Sequence, residues 1–462
     1  MADKFDCVVI GSGPGGYAAA IRAAQRGASV ALVEKDRLGG TCLNCGCIPS
    51  KALLASARTL LAANRAAEMG IDIESATADW QKIQSRKNTI TTALAKGLAG
   101  LIAANGITVF EGLAAVTSPN KVTVSTDSGR IAVEADKIIL ATGSEPAQLP
   151  ALPFDGQTVL SSKDALELQQ MPESLLVVGG GVIGCELACA YAALGTKVTI
   201  VEALARLLPM QDEWVGRLLA RQFSGLGITV LTNTTVASAE KNQTSATLTL
   251  QDGRRIEAEK VLVAVGRKPV CDAQTIQALG LKMTGSAIAV NRKMQTSCPD
   301  VYAVGDVVGT TYLAHGAFAE AEVAAANATG GDRQIADYSL IPRAVYTFPE
   351  VASVGMTEQD CRNRNIDVSV GRYAFRANGR SLAEAETLGE VRALRDTATD
   401  TIVGVTMVGS MVTELIAAAA ALIGTKRDVA TVNFPHPTAS EALKEAIEDA
   451  FGLSLHNPPG RR

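Results

Sequence analysis

Cys42 and Cys47 are separated by four residues in the run Gly39-Gly40-Thr41-Cys42-Leu43-Asn44-Cys45-Gly46-Cys47-Ile48-Pro49-Ser50-Lys51. A thiol pair can exchange with an external disulfide through a mixed intermediate, and a nucleotide cofactor laid against it can carry the electrons onward as hydride. A strand, glycine loop and helix beginning at Val8, just upstream of the cysteines, offer a seat for that cofactor. The combination predicts a redox disulfide working against a flavin.

The elements that must position this chemistry are legible in order. The apolar strand Cys7 to Ile10 leads into Gly11-Ser12-Gly13-Pro14-Gly15-Gly16, followed by the alanine-rich helical stretch Tyr17 to Gln25. Glycine permits the tight turn and the close backbone approach, so the helix N-terminus can face a pyrophosphate. Glu34 closes the next apolar run, Val30 to Val33, about 20 residues on, where a carboxylate can take ribose hydroxyls.

A second copy follows. Strand Leu175 to Val178 precedes Gly179-Gly180-Gly181-Val182-Ile183-Gly184, a helix carrying Glu186 comes next, and Glu202 closes the strand Val198 to Val201. Two fingerprints in full strand-loop-helix context imply two dinucleotides, one held tightly and one exchanging; a single copy would carry little weight, because glycine-rich turns also serve packing. Glu202 favours NAD over NADP, since a 2′-phosphate wants an arginine there.

Composition narrows the class. A chain of 462 residues, 47% of them hydrophobic, has core enough for about three domains. A formal charge of −4 gives no basic footprint for nucleic acid. The most apolar run, Leu415 to Gly424, is about half the length of a membrane span and is flanked by Glu414 and Lys426, so a buried helix is expected there. No signal or transit segment is expected, because Met1 to Asp6 runs straight into a strand. Nine scattered cysteines argue against a structural disulfide framework and for a reducing, cytoplasmic setting. Cys185 and Cys189 are four apart on a helix but have no histidine nearby among the three in the chain, so no metal site is expected and they read as small core residues.

Along the chain, the first nucleotide unit is interrupted after Glu34 by the cysteine segment and a helical region reaching about Asn105. Strands resume at Ile107 to Glu111, Val122 to Ser125 and Lys137 to Leu140, the last turning out through Ala141-Thr142-Gly143. A proline-bearing stretch, Pro146 to Pro153, reads as a linker. The second unit ends in Val261 to Gly266-Arg267, which repeats that strand and glycine turn, so Gly266 is assigned to the NAD site. The strand Val301 to Val304 ends in Gly305-Asp306, an acid able to bond a flavin ribityl hydroxyl. The fold class predicted is α/β: two Rossmann-like dinucleotide-binding domains, for FAD and NAD, and a C-terminal α+β domain. The predicted boundaries are 1–145 and 273–345 for the FAD part, 146–272 for the NAD part and 346–462 for the C-terminal domain.

These motifs together resemble the dihydrolipoamide dehydrogenase family, class I pyridine nucleotide-disulfide oxidoreductases. The resemblance rests on Gly39 to Lys51, the paired fingerprints with Glu186, Tyr302 to Asp306, Ile341-Pro342-Arg343 with Tyr346 to Val351, and His436-Pro437-Thr438-Ala439-Ser440-Glu441. It implies NAD-linked oxidation of dihydrolipoamide, with Cys42 as the interchange thiol and Cys47 as the thiol facing the flavin. Lys51 and Glu186 would pair beside flavin N5, and Thr142, Gly143, Gly305, Asp306 and Ala314 would line the FAD. His436, oriented by Glu441, would be the acid-base residue, supplied by the partner of an obligate homodimer whose C-terminal domain serves dimerisation. The partner protein would be a lipoyl domain or lipoyl carrier of a 2-oxoacid dehydrogenase, glycine-cleavage or related system.

The chemistry suits those residue types. A thiol attacks only as thiolate, and a histidine near its working range is a suitable base, its tautomer fixed by a carboxylate on the other ring nitrogen. The alternatives are bland: Lys51 and Glu186 as solvated charges, His315 as a packing residue, His456 as part of a polar tail. The chain also departs from the family at Cys45, where a small aliphatic residue is usual; it reads as a buried spectator or as a third thiol competing for disulfide partners. Phe434 stands where a histidine is common, Val270 where an asparagine is, and His315 to Glu320 is less charged than usual. The rival reading is a glutathione-reductase-like enzyme, which would want basic residues near Glu202; Ala203-Leu204-Ala205 offers none. Mercuric reductase would need vicinal cysteines in Ser454 to Arg462, and a redox-silent FAD scaffold would need neither Cys42 with Cys47 nor His436 with Glu441.

Overall fold

The computed structural model describes residues 3–458 except 243 and 427–431. Met1 and Ala2 of the predicted N-terminal entry, and 459–462 of the tail inspected for vicinal cysteines, lie outside the described residues. Two compact units divide the chain.

The first unit gathers the chain up to Ala52, Gln84–Ala147 and Gly266–Tyr338. Its seven-stranded sheet runs Thr108–Glu111, Val30–Glu34, Asp3–Ile10, Gly129–Leu140, Lys121–Thr126 and Leu113–Ser118, with Val301–Ala303 also pairing Gly129–Leu140. Asp3–Ile10 is parallel to both its neighbours, whereas Lys121–Thr126 pairs Gly129–Leu140 antiparallel. The predicted strand from Lys137 is thus the end of a longer one. Both faces of the parallel part are covered, which is why its strands read as unbroken apolar runs. Cys7, Val9, Leu32 and Ile139 enter one core with the helices, while Val8, Ile10, Val33, Ile138 and Leu140 enter another. Burying each such aliphatic side chain contributes about 1.5–3 kcal/mol. Helices Pro14–Gln25 and Ala314–Ala328 share the first of these cores through Ala19, Ala20, Ala23, Ala321 and Ala324, small residues that let the backbones approach.

The second unit gathers Leu53–Ile83, Gln148–Val265 and the chain from Ser339. A five-stranded parallel sheet runs Thr229–Leu231, Lys197–Val201, Ser174–Val178, Lys260–Val263, Val159–Leu160, beside an antiparallel trio Val236–Lys241, Ala246–Leu250, Arg255–Ala258. The alternation repeats: Leu175, Val177 and Leu262 pack on one side, Leu176, Val178 and Val261 on the other. Of the predicted linker, Leu152 is buried in that second core.

The C-terminal part of this unit is an antiparallel sheet ordered Arg343–Val345, Glu350–Gly355, Thr401–Gly409, Glu390–Asp396, Val368–Ala374. Helix Glu441–Ala450 lies hard on its edge strand: a Cβ on Gly371 would come within 2.0 Å of Ala446 O. The apolar run expected as a buried helix is helix Val412–Leu422, buried on one face only, through Val412, Ile416 and Ala419. Ala417, Ala418 and Ala421 are exposed, so the all-apolar run is one-sided rather than enclosed.

Candidate active site

The two glycine loops are built alike within their own units. A Cβ on Gly11 (φ +95°) would lie 2.4 Å from Ala141 O, and one on Gly179 (φ +110°) 2.4 Å from Ala264 O. Likewise Gly16 and Gly184 admit no side chain, because Gly11 O and Gly179 O would stand 1.8 and 2.0 Å away. These glycines are demanded by strand, loop and helix packing. Gly13 and Gly181 differ: nothing lies within 4 Å of a Cβ there, and each precedes a helix, Pro14–Gln25 or Val182–Ala193, with no side-chain cap. Open space in front of uncapped backbone N–H groups suits a pyrophosphate. Gly15 is held against Val304, 3.1 Å from a Cβ's position.

Both acids are buried and hold their loops. Ser12 N and Oγ donate to Glu34 Oε2 at 2.8 and 2.6 Å, and Asp36 N donates to Oε1. Gly180 N and Leu204 N donate to Glu202 at 2.6 Å each. A carboxylate offers about four acceptor sites, so capacity remains for ribose hydroxyls. The first loop carries the extra Ser12 hydroxyl bond that Gly180 cannot make.

Beyond the first loop, Thr142 Oγ1 donates to Val270 O, and Val270 N donates to Gly143 O at 3.0 Å, both contacts being made by the Val270 backbone. Gly143 (φ +73°) and Gly266 (φ +126°) face open space. Asp306 accepts from Ser144 Oγ and lies 3.6 Å from Arg267 Nε, which itself donates to Ser144 Oγ. Gly305 N donates to buried Glu320 at 2.6 Å, and Tyr338 OH donates to the other oxygen at 2.8 Å. Burial is the main reason the Glu320 carboxyl is raised to about 7, with the two donors opposing it. Ala314 opens helix Ala314–Ala328, which has no side-chain cap at its N-terminus. Ser12, Ser144, Arg267 and Glu320 were not singled out from the sequence as site residues; Ser12 alone carried a signal, its place inside the fingerprint.

The cysteine segment is pinned to the same loop: Gly39 N donates to Ser12 O, and a Cβ on Gly40 would meet Gly13 Cα at 2.7 Å. Cys42 and Cys45 lie on helix Gly40–Cys45, and Cys47 opens the 18-residue helix Cys47–Asn64. The Cys42 and Cys47 thiols are hydrogen-bonded to one another. That bond and then burial push the Cys42 thiol well up, while the Lys51 ammonium pulls it the other way. The helix N-terminus at Cys47 favours negative charge on its sulfur. Cys45, expected to be buried, is half-exposed like its two neighbours. Cys185 and Cys189 are buried as expected, though not as purely apolar groups: Cys185 Sγ donates to Gly180 O, and Phe348 N donates to Cys189 Sγ.

In the second unit, His436 Nδ1 lies 2.9 Å from Glu441 Oε1, and Thr438 N donates to Oε2 at 2.8 Å. Burial raises the Glu441 carboxyl, but these bonds outweigh it and hold it below its usual value. Buried Asn378 donates to Thr438 O and steadies this loop, a role without any sequence signal. The His436 side chain is 80% exposed, open to a reacting group. Glu186 is buried in the second unit and accepts from Tyr346 N; Lys51 belongs to the first. His456 is more than a polar-tail residue, since its Nδ1 lies 2.6 Å from buried Glu445. Among the described residues no group of three or more His, Cys, Asp or Glu is placed to hold a metal ion, and no helix is long and apolar enough to cross a membrane.

Residues 5–325 match the family described as pyridine nucleotide-disulphide oxidoreductase, and residues 341–447 match its dimerisation domain. The chain belongs to that family. It is 42% identical over 456 residues to a dihydrolipoyl dehydrogenase of Bacillus subtilis, covering 97% of this chain and 99% of the relative. The Geobacillus stearothermophilus dihydrolipoyl dehydrogenase is 38% identical, covering 99% and 98%. The crystal structure of LpdA from Mycobacterium tuberculosis superposes with a TM-score of 0.90 at 26% identity, covering 97% and 99%. Within the family the chain therefore falls among the dihydrolipoyl dehydrogenases, and its cofactors are FAD and NAD.

Proposed function

We propose that the chain oxidises protein-bound dihydrolipoamide to lipoamide and reduces NAD, as a homodimer in the cytoplasm. The observation that carries the reading is the Cys42 and Cys47 sulfur pair in mutual contact, pinned through Gly39 and Gly40 to the uncapped loop at Gly13. The matched dimerisation domain and the names of the relatives support the rest.

His436 Nε2 takes the proton of one substrate thiol, and Glu441, bonded at Nδ1, supports the imidazolium. The substrate thiolate attacks Cys42 Sγ of the Cys42–Cys47 disulfide; the Cys42–Cys47 bond breaks and Cys47 leaves as thiolate. The second substrate thiol then attacks the mixed disulfide, releasing cyclic lipoamide and the Cys42 thiol. FAD supplies a two-electron acceptor for the dithiol and a hydride donor to NAD. Gly11, Gly13, Gly15, Gly16, Glu34, Thr142, Gly143, Gly305, Asp306 and Ala314 would hold it, and Lys51 and Glu186 would be the charged residues that serve its chemistry. Gly179, Gly181, Gly184, Glu202 and Gly266 hold NAD. His436 and Glu441 serve the partner subunit's thiols, and a lipoyl domain of a 2-oxoacid dehydrogenase, glycine-cleavage or related system delivers the substrate.

Steady-state rates decide the reading. The protein should form NADH from dihydrolipoamide and NAD and give little oxidation of NADPH with glutathione disulfide. The reverse pattern would transfer it to the glutathione-reductase-like reading.

A further inference from the structure

Cys42 and Cys45 form a C-x-x-C pair inside one turn of helix Gly40–Cys45, so Cys42 is shared between two possible partners, Cys45 on its helix and Cys47 beyond it. We propose that Cys42 and Cys45 form a second, alternative disulfide that draws the interchange thiol away from Cys47. This rests on the Cys42–Cys47 redox pair of the proposed function.

Geometry favours the exchange. Residues three apart on a helix share a face, with Cβ atoms about 5–6 Å apart, whereas a disulfide wants about 3.5–4.5 Å. Closing the gap needs a shift of about 1–2 Å by these ranges, and this helix can give it. It has six residues, no side-chain cap at Gly39, and Cys45 is its last residue. Gly46 follows at φ −144° and ψ −105°, outside helical space, so the helix ends at Cys45. Helix ends are the first places to open. All three cysteines are only partly buried residues.

The step balances without an outside oxidant. The Cys45 thiol gives its proton to solvent, its thiolate attacks Cys42 Sγ in the Cys42–Cys47 disulfide, the Cys42–Cys45 bond forms, and Cys47 leaves with the electron pair as thiolate. No electrons are gained or lost overall. In the side form Cys42 is held by its own helix, and return attack by Cys47 restores the working disulfide.

Holoenzyme carrying Cys47→Ser is treated with excess oxidised lipoamide, denatured in N-ethylmaleimide, digested and fragmented by mass spectrometry. The expected product is a segment with Cys42 and Cys45 both unlabelled and two hydrogens lighter than the dithiol. Label on both sulfurs, or a lipoamide adduct on Cys42 with label on Cys45, would overturn the proposal. Oxidised wild type should contain molecules labelled at Cys47 and linked between Cys42 and Cys45; label on Cys45 in every molecule would also overturn it, without relying on the variant's folding. In Cys45→Ser, the Cys42–Cys47 bond should form in every molecule. Its absence there would remove the redox pair itself, a failure distinct from that of the side disulfide.

Discussion

His436 Nδ1 and Glu441 Oε1 stand 2.9 Å apart on a loop and helix start fixed by Thr438 and Asn378. The carboxylate sets the tautomer, leaving Nε2 to accept a proton. His436→Ala should lower dihydrolipoamide oxidation about a hundredfold or more while FAD stays bound, and Glu441→Gln should lower it less, because it disturbs the base without removing it. Turnover and the flavin-to-protein absorbance ratio check both halves.

Glu202 is buried and holds Gly180 N and Leu204 N at 2.6 Å, directly beside the second loop. A 2′-phosphate brought there would meet this carboxylate. NAD should be preferred over NADP by at least about tenfold in kcat/KM. Equal efficiencies with the two nucleotides would mean that Glu202 does not read the ribose.

The contact between the Cys42 and Cys47 thiols assigns different duties to three neighbouring sulfurs. Limited reduction of the yellow holoenzyme should give a long-wavelength absorption from a Cys47 thiolate against flavin. Cys47→Ser should abolish the band and Cys45→Ser should leave it. A band lost with Cys45 alone would reverse the assignment.

Glu320 is buried between Gly305 N and Tyr338 OH, with its carboxyl raised to about 7 chiefly by burial. A carboxyl raised in the folded state binds a proton that the unfolded chain has already released, so stability falls as pH rises from about 4.5 to about 7. Glu320→Gln should flatten that part of the pH profile of Tm. Parallel wild-type and variant profiles would show that Glu320 does not titrate there.

The sequence made the fingerprints and redox segment legible because their glycines and cysteines answer to local demands: Gly11 and Gly179 are squeezed by Ala141 O and Ala264 O wherever this strand-loop-helix unit is built. The spacing of His436 and Glu441 was also visible, though their contact depends on the bend through Pro437 and Thr438. Asn378 and Glu320 stayed hidden, since each acts on a backbone group distant in sequence. Helix Val412–Leu422, expected to be buried, is buried within one chain on one face only, because alanine reads as apolar whichever way it faces.

The proposed site joins Cys42 of one subunit to His436 of the other. Subunits carrying Cys42→Ser and subunits carrying His436→Ala, each inactive as homodimers, are mixed, with exchange verified, and dihydrolipoamide oxidation is measured. Each mixed dimer then holds one site with both substitutions and one with neither, so activity should return in proportion to the mixed dimers formed. Mixed dimers as inactive as their parents would contradict a site shared between subunits.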